Sequence, residues 1–547
     1  MDWWRGAVIY QIYPRSFLDT DGDGIGDLPG VTAKLPYIAQ LGADAIWLCP
    51  FFLSPQCDFG YDVASYTDID PIFGTMADFD ALVRQAHALG LKVLIDQVWG
   101  HTSNRHPWFL DSRSSQTAEK ADWYVWADPS ADGTPPNNWL SVFGGAAWTW
   151  EPRRRQYFLH RFLSCQPALN LHNPATMDAL LETGRFWLDR GVDGFRLDAI
   201  DFLLHDTSLR PNPAAPGTGI IPTKPFGMQR HDWDMLQPDT VGLLARIRGL
   251  MDSYPGSVAL GEISSQPGAL QRVTALTEGA DGLHMAYTLR PLRDRFGWAE
   301  VTALLRDVAL AGTKGWACWS FSNHDAERAI SRWNPAGGSA PPDPAFVRML
   351  MALPLSLRGS VCLYQGEELG LTEAVLSETD LRDPFGLAYW PEFRGRDGSR
   401  TPMPWRADAA HAGFTSAATP WLPMPDVHRA LAADVQDADD SSMLHAVRRF
   451  LHWRRGVPAL LYGSLRTLPL DAPLAGFARE HDGQCVIAVF NLSDADATLS
   501  LAGYGPLSPM PGSGFEHCLG GDGRLRPFGV LFAIVAHKPA CLKEMAG

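Results

Sequence analysis

The strongest constraint on this chain is a rhythm. Eight short apolar runs recur along it, each closing on polar residues: AVIYQI (7–12), DAIWLCPFF (44–52), LKVLIDQVW (91–99), VDGFRLDAI (192–200), SVALGEI (257–263), DGLHMAY (281–287), WACWSFSNH (316–324) and SVCLYQG (360–366). Between many of them lie helical patterns, such as MADFDALVRQAHALG (76–90) and TMDALLETGRFWLDRG (176–191), with apolar residues near i, i+3 and i+4. Apolar strands alternating with helices specify a parallel sheet covered on its faces. Eight repeats point to an α/β fold, a (β/α)8 TIM barrel.

At 547 residues the chain is too long for one core. Residues 102–170, rich in Trp, Pro, Gly and Asn, read as a subdomain inserted after strand three. Further inserts follow strand four (about 203–240) and strand eight (about 367–435). From about 463 the pattern turns to short strands such as CVIAVFNL, which read as a C-terminal antiparallel β-sandwich domain. The expected layout is a barrel of residues 1–101 and 171–462, an insert of 102–170 and a β domain of 463–547. All three inserts leave the C-terminal face of a barrel, where sites are built.

A net charge of −15 without any basic run argues against nucleic acid or an anionic membrane as partner. The N-terminal MDWWRGAVIYQIYP has no signal pattern, and no stretch reaches the roughly 18–20 apolar residues of a membrane span. A cytoplasmic monomer or homodimer is expected. The eight scattered cysteines (Cys49, Cys57, Cys165, Cys318, Cys362, Cys485, Cys518 and Cys541) form no CxxC pair and read as mostly buried free thiols.

Acids stand at three strand ends: Asp198 on strand four, Glu262 on strand five and Asp325 just after strand seven. A lone carboxylate there is as well explained by a helix cap. Three that converge on one barrel face, with Arg196, His101 and His324 nearby, point to catalysis. Arg196 precedes Asp198 by two residues, so on a strand both face the same way. An arginine so placed would keep Asp198 ionised and orient it. One ionised and one protonated carboxyl suit glycoside hydrolysis: the first attacks the anomeric carbon and the second protonates the leaving oxygen.

WWRGAVIYQIYPRSF, GVDGFRLDAI, GEIS, FSNHD and GRDGSRTPMPW, in this order, resemble the α-amylase superfamily, glycoside hydrolase family 13, and within it the oligo-1,6-glucosidase and α-glucosidase branch. The resemblance covers almost the whole chain. It implies that Asp198 is the nucleophile, Glu262 the general acid/base, and Asp325 a stabiliser of the distorted sugar. It further implies that His101 and His324 bond that sugar, that Arg196 supports the nucleophile, and that Tyr61 stacks on the ring. Asp58 and Arg400 would pair across the pocket and close it to all but single non-reducing-end glucose units. Phe143 and Phe162 would form its wall. The implied activity is a retaining, exo-acting α-glucosidase on maltose, isomaltose, sucrose or aryl glucosides, with glucosyl transfer to acceptors. The alternative is a sucrose hydrolase or an amylosucrase- or trehalose-synthase-like glucosyltransferase on the same scaffold.

The sequence departs from the family at Gly100, where Asn usually precedes the histidine and helps to bind calcium, so that calcium site is not expected. Ala168 in QPALN departs from the usual QPDLN, and Ala199 replaces the Thr or Val that goes with linkage preference. The loop DTDGDGIGD (19–27) sets acids at alternate positions around Gly24, as a hard cation requires. Gly30 stands where an EF-hand has Glu. The resemblance implies a structural Ca2+ or Mg2+ on Asp19, Asp21, Asp23, the Ile25 carbonyl and Asp27, and no organic cofactor.

Overall fold

The computed structural model describes residues 2–217, 222–264, 268–292, 295–337, 340–501 and 507–535. Eight parallel strands form the central sheet: β1 (Val8–Ile12), β2 (Ala45–Leu48), β3 (Lys92–Gln97), β4 (Gly194–Leu197), β5 (Val258–Ile263), β6 (Met285–Thr288), β7 (Cys318–Ser320) and β8 (Ser360–Tyr364). Neighbours in sequence are neighbours in space, β8 pairs with both β1 and β7, and a parallel bridge from Ala286 to Ala317 joins β6 to β7. The cylinder is therefore closed. A helix follows each strand: α1 (Leu28–Leu41), α2 (Met76–Ala88), α3 (Pro174–Leu188), α4 (Thr240–Asp252), α5 (Ala269–Thr277), α6 (Trp298–Ala311), α7 (Pro344–Ser356) and α8 (Met443–Arg455).

Strand alternation produces two cores. Ile9, Ala45, Trp47, Leu94, Leu260 and Cys362 pack together in one cluster, while Val8, Tyr10, Ile46, Val93 and Leu363 pack against the helices in another. Helix boundaries follow local chemistry. The Asp27 carboxylate caps α1 by accepting from Gly30 N, and Gly42 ends that helix at φ 101°. Thr75 and Asp78 cap α2 reciprocally. Asn173 caps α3 just before Pro174.

The first insert carries its own three-stranded antiparallel sheet of Trp126–Ala127, Gln156–Leu159 and Trp148–Glu151. Beyond the barrel, β9 (Ser464–Thr467), β10 (Leu474–His481), β11 (Gln484–Asn491) and β12 (Val530–Ile534) form an antiparallel sheet in that order. Leu474, Ile487, Val489 and Leu531 of this sheet share a core with Ala497 and Leu525 of a small two-stranded sheet.

One sequence expectation is corrected. Cys57 and Cys165 form a disulfide. Cys49, Cys318, Cys362, Cys485 and Cys518 are buried thiols, as expected, and Cys541 lies outside the described residues. The bridge joins the loop after β2 to the first insert across a sequence separation of 108, so no local spacing announces it.

Candidate active site

Asp198 follows β4 directly, and its N–H donates to the Gln97 carbonyl at 3.0 Å. Ala199 then turns the chain at φ 42°, ψ 51°, a left-handed conformation that L-residues other than Gly, Asn and Asp seldom adopt. That turn points the Ala199 N–H at Glu262 Oε2, 3.0 Å away on β5. The buried Arg196 answers the oddity of a charged pair in an apolar strand. Its Nη1 donates to Asp198 Oδ1 at 2.7 Å and its Nη2 to Glu262 Oε2 at 2.5 Å. The two strand-end acids thus sit on neighbouring nitrogens of one guanidinium.

Arg196 has a third acidic partner that sequence reasoning missed. Asp96, fully buried on β3, accepts from Nη1 at 2.8 and 3.0 Å. Three carboxylates therefore share one cation. Burial pushes Glu262 up to about 7 against the pull of Arg196, with Asp198 adding to the rise. Burial raises Asp198 as well, and Arg196 again opposes it. The Asp198–Glu262 pair accordingly holds a proton near neutrality.

Asp325 is the reverse case. Burial alone would raise it, but His324, Arg396 and Arg400 outweigh burial and hold the carboxyl well below the carboxylate range. Arg396 Nη1 and Arg400 Nη2 donate to its Oδ1 at 3.1 and 2.8 Å. Burial also lowers His324 to about 3, so the two arginines are its permanent cations. His324 stands behind the pocket: Nδ1 meets Gln11 Nε2 at 2.8 Å, and Nε2 meets the Tyr61 hydroxyl at 2.6 Å. Tyr61 stacks on His324 at an interplanar angle of 5° and lines the cavity itself. His101, lowered to about 4 by burial, lines it too, with Nε2 donating to the Tyr61 carbonyl at 3.0 Å.

The pocket corner differs from expectation. Asp58 pairs with Arg396, not with Arg400: Arg396 Nη2 donates to Asp58 Oδ1 and to Asp383 Oδ1, each at 2.7 Å. Arg400 turns inward instead, donating to the His324 carbonyl at 2.6 Å and to Asp325. A 3-10 turn over Asp397–Ser399 separates the two arginines and sends them in different directions. On the Asp58 side, Asp62 fixes the loop by accepting from Cys57 N and Asp58 N, both at 2.9 Å. Gly60 serves there at φ 104°, and a Cβ would lie 3.0 Å from the Pro50 carbonyl oxygen. Gln166, also missed from sequence and next to the disulfide, donates to Asp58 Oδ2 at 3.1 Å.

Aromatic side chains build the wall. Phe162 packs on His101, Phe143 on Phe162 and Phe385, and Phe202 on Phe162, at centroid distances of 4.5–6.2 Å. All four line a cleft of ≈ 2320 Å³ that also receives Asp58, Tyr61, Asp198, Glu262, Asp325 and Arg396. The cleft is far larger than one hexose because it runs on past the acids between the second and third inserts.

The α-amylase catalytic-domain profile matches residues 11–463 of this chain. The chain belongs to the α-amylase family of glycoside hydrolases. A "Probable alpha-glucosidase" of Rhizobium meliloti (strain 1021) is 52% identical over 98% of this α-amylase-family chain and 97% of its own length. A "Probable oligo-1,6-glucosidase 3" of Bacillus subtilis (strain 168) is 34% identical over 92% and 93%. The crystal structure of an "alpha-glucosyl transfer enzyme, XgtA" superposes with a TM-score of 0.93 at 53% identity, covering 98% of this chain and 100% of its own.

In this member of the family the acidic loop before α1 brings Asp19, Asp21 and Asp27 together, one carboxylate oxygen from each lying within 4.8 Å of the others. Gly22 and Gly24 turn the loop at φ 82° and 92°. Three converging hard oxygens fit a divalent cation. Asp23 stands outside this trio and accepts from Ile25 N at 2.7 Å. The loop also anchors the third insert: Asp19 accepts from Thr415 Oγ1, and Gly24 O accepts from Trp421 N at 2.9 Å.

Proposed function

We propose that this protein is a retaining, exo-acting α-glucosidase that removes glucose from the non-reducing end of short α-glucosides and passes part of it to acceptor hydroxyls. The observation that carries the reading is the sharing of one guanidinium by Asp198 and Glu262 at the base of a pocket whose corner is closed by Asp58 and Arg396. Double displacement sets the two carboxyls about 5–5.5 Å apart, closer than inversion, which needs room for a water between them, and the sharing of one guanidinium by Asp198 and Glu262 supports the closer arrangement.

Asp58 and Arg396 grip the outer hydroxyls of the terminal glucose, Tyr61 stacks on its ring, and Asp325 and His101 bond its inner hydroxyls. Glu262 gives its proton to the glycosidic oxygen as the Asp198 carboxylate attacks the anomeric carbon. The leaving alcohol departs and a glucosyl ester remains on Asp198. Glu262, now ionised, takes a proton from water or from an acceptor hydroxyl, whose oxygen breaks the ester. The likeness to an α-glucosyl transfer enzyme supports the transfer branch. Maltose, isomaltose, sucrose and aryl glucosides are the candidate substrates.

Asp19, Asp21 and Asp27 would hold a structural Ca2+ or Mg2+, with Asp23 and the Ile25 carbonyl completing the set implied by the resemblance. Bound there, the cation would fix the loop that anchors the third insert. A cytoplasmic setting belongs to this reading, and no helix among the described residues is long and apolar enough to cross a membrane. The Cys57–Cys165 bridge pulls against that setting, since cytosolic thiols are normally kept reduced. Alkylation of the native protein in fresh cell extract decides between the two.

Asp198→Asn should abolish turnover with the fold intact, and substantial residual hydrolysis would sink the nucleophile assignment. Glu262→Gln should hurt maltose far more than an activated aryl glucoside, whose leaving group needs no proton. Equal losses would refute its role as the acid.

A further inference from the structure

We propose that Asp96 is a positioning residue for this reaction: it touches no substrate, locks Arg196 and Tyr61 in place, and by its fixed negative charge keeps a proton on the Asp198–Glu262 pair. The proposal rests on the glucosidase reading and adds a residue to it.

Asp96 is fully buried at the end of β3 and accepts four hydrogen bonds. Two come from Arg196 Nη1, one from the Tyr61 hydroxyl at 3.0 Å and one from Trp47 Nε1 at 3.3 Å. One carboxylate therefore ties the guanidinium shared by both working acids to the phenol on the pocket floor. Arg196 is held from its other side by the Tyr287 hydroxyl, 2.8 Å from Nη2.

Charge counting supplies the second half. Asp96, Asp198 and Glu262 face a single guanidinium, so three ionised acids would leave two uncompensated negative charges in a buried site. Among the described residues, no second cation pairs with these three acids. Arg396 and Arg400 are engaged with Asp58, Asp325 and Asp383. His101 and His324 are neutral near pH 7, and burial keeps Tyr61, Tyr287 and the Cys49 thiol protonated. One of the three acids must carry a proton. Burial raises Asp96 as well, to about 6, but the hydrogen bonds from Arg196, Tyr61 and Trp47 leave it the best held of the three in its ionised form. Asp198 accepts from Arg196, and Glu262 accepts from Arg196 and Ala199 N. The proton therefore goes to that pair, where the leaving-group oxygen needs it.

The test is Asp96→Asn, which keeps the shape and removes the charge. The pH profile of kcat/KM on maltose should lose its basic limb about one pH unit earlier than in the parent enzyme. At pH 7 kcat should fall about fivefold from that shift alone, with KM within threefold. An activated aryl glucoside should lose less. A profile scaled down but unmoved along the pH axis would mean a merely structural role and overturn the proposal. If Asp96→Asn does not fold, Tyr61→Phe carries the test, since it withdraws one of the four hydrogen bonds and leaves the acid in place. A basic limb displaced in the same direction supports the proposal, and an unmoved limb overturns it. Absence of glucosidase activity in the parent enzyme would instead refute the reading beneath it.

Discussion

The Asp58–Arg396 corner offers a sharp quantitative test. Replacing Asp58 with Asn removes a 2.7 Å ion pair whose side chains are only 6% and 8% exposed. A hydrogen bond to a buried charged group contributes about 1.5–3 kcal/mol. If the pair orients its members on the sugar, kcat/KM should fall roughly 10- to 150-fold at about 1.4 kcal/mol per decade. A double-mutant cycle then separates the two candidate arginines. Asp58→Asn with Arg396→Met should couple by at least about 1.5 kcal/mol, because the two residues touch. Asp58→Asn with Arg400→Met should couple more weakly, because Arg400 bonds Asp325 and the His324 carbonyl and reaches Asp58 through Arg396. The assay is steady-state kinetics on an aryl α-glucoside, with melting curves to confirm that each variant is folded. Arg396→Lys replaces Arg396→Met if the bare Asp383 carboxylate unfolds the chain. Equal coupling to both arginines, or Asp58→Asn activity within threefold of the parent, would refute the corner as described.

Burial raises Glu373 to about 8 and Glu367 to about 7, so each of these two carboxyls keeps in the folded chain a proton that it loses in the unfolded one as pH rises above 4.5. Thermal stability should therefore fall as pH rises through 7–8, and Glu373→Gln should flatten that decline in a calorimetric series. A chelator should lower the melting temperature while the rate of enzyme that stays folded is little changed. Loss of rate without loss of stability would contradict a structural cation. Cys57→Ser with Cys165→Ser, which opens a bridge across a sequence separation of 108, should cost about 2–5 kcal/mol in denaturant unfolding. It should also raise KM more than it lowers kcat, because the bridge flanks Asp58 and Gln166.

The barrel was legible because buried parallel strands leave near-continuous apolar runs, and Asp198, Glu262 and Asp325 were legible because acids at the ends of such runs have few structural uses. The arginine of the corner was not. Arg396 and Arg400 share the motif GRDGSR, and only the 3-10 turn between them decides which one faces Asp58. Asp96 hid inside LKVLIDQVW, where it reads as one more strand residue until its four hydrogen bonds are seen. The disulfide left no signal, since its cysteines meet only after the first insert has folded over the loop following β2. In the cation loop the alternation of acids was plain, but which three of them converge was not.

The two sides of the corner lie 338 residues apart in the chain. A ribosome that has just finished β5 has already delivered both working acids together with Asp58, Tyr61 and His101, yet the nascent chain still lacks Asp325 and the arginine of the corner. Catalytic competence must therefore arrive late, after the third insert docks, and in a refolding experiment regained turnover should trail the recovery of barrel fluorescence.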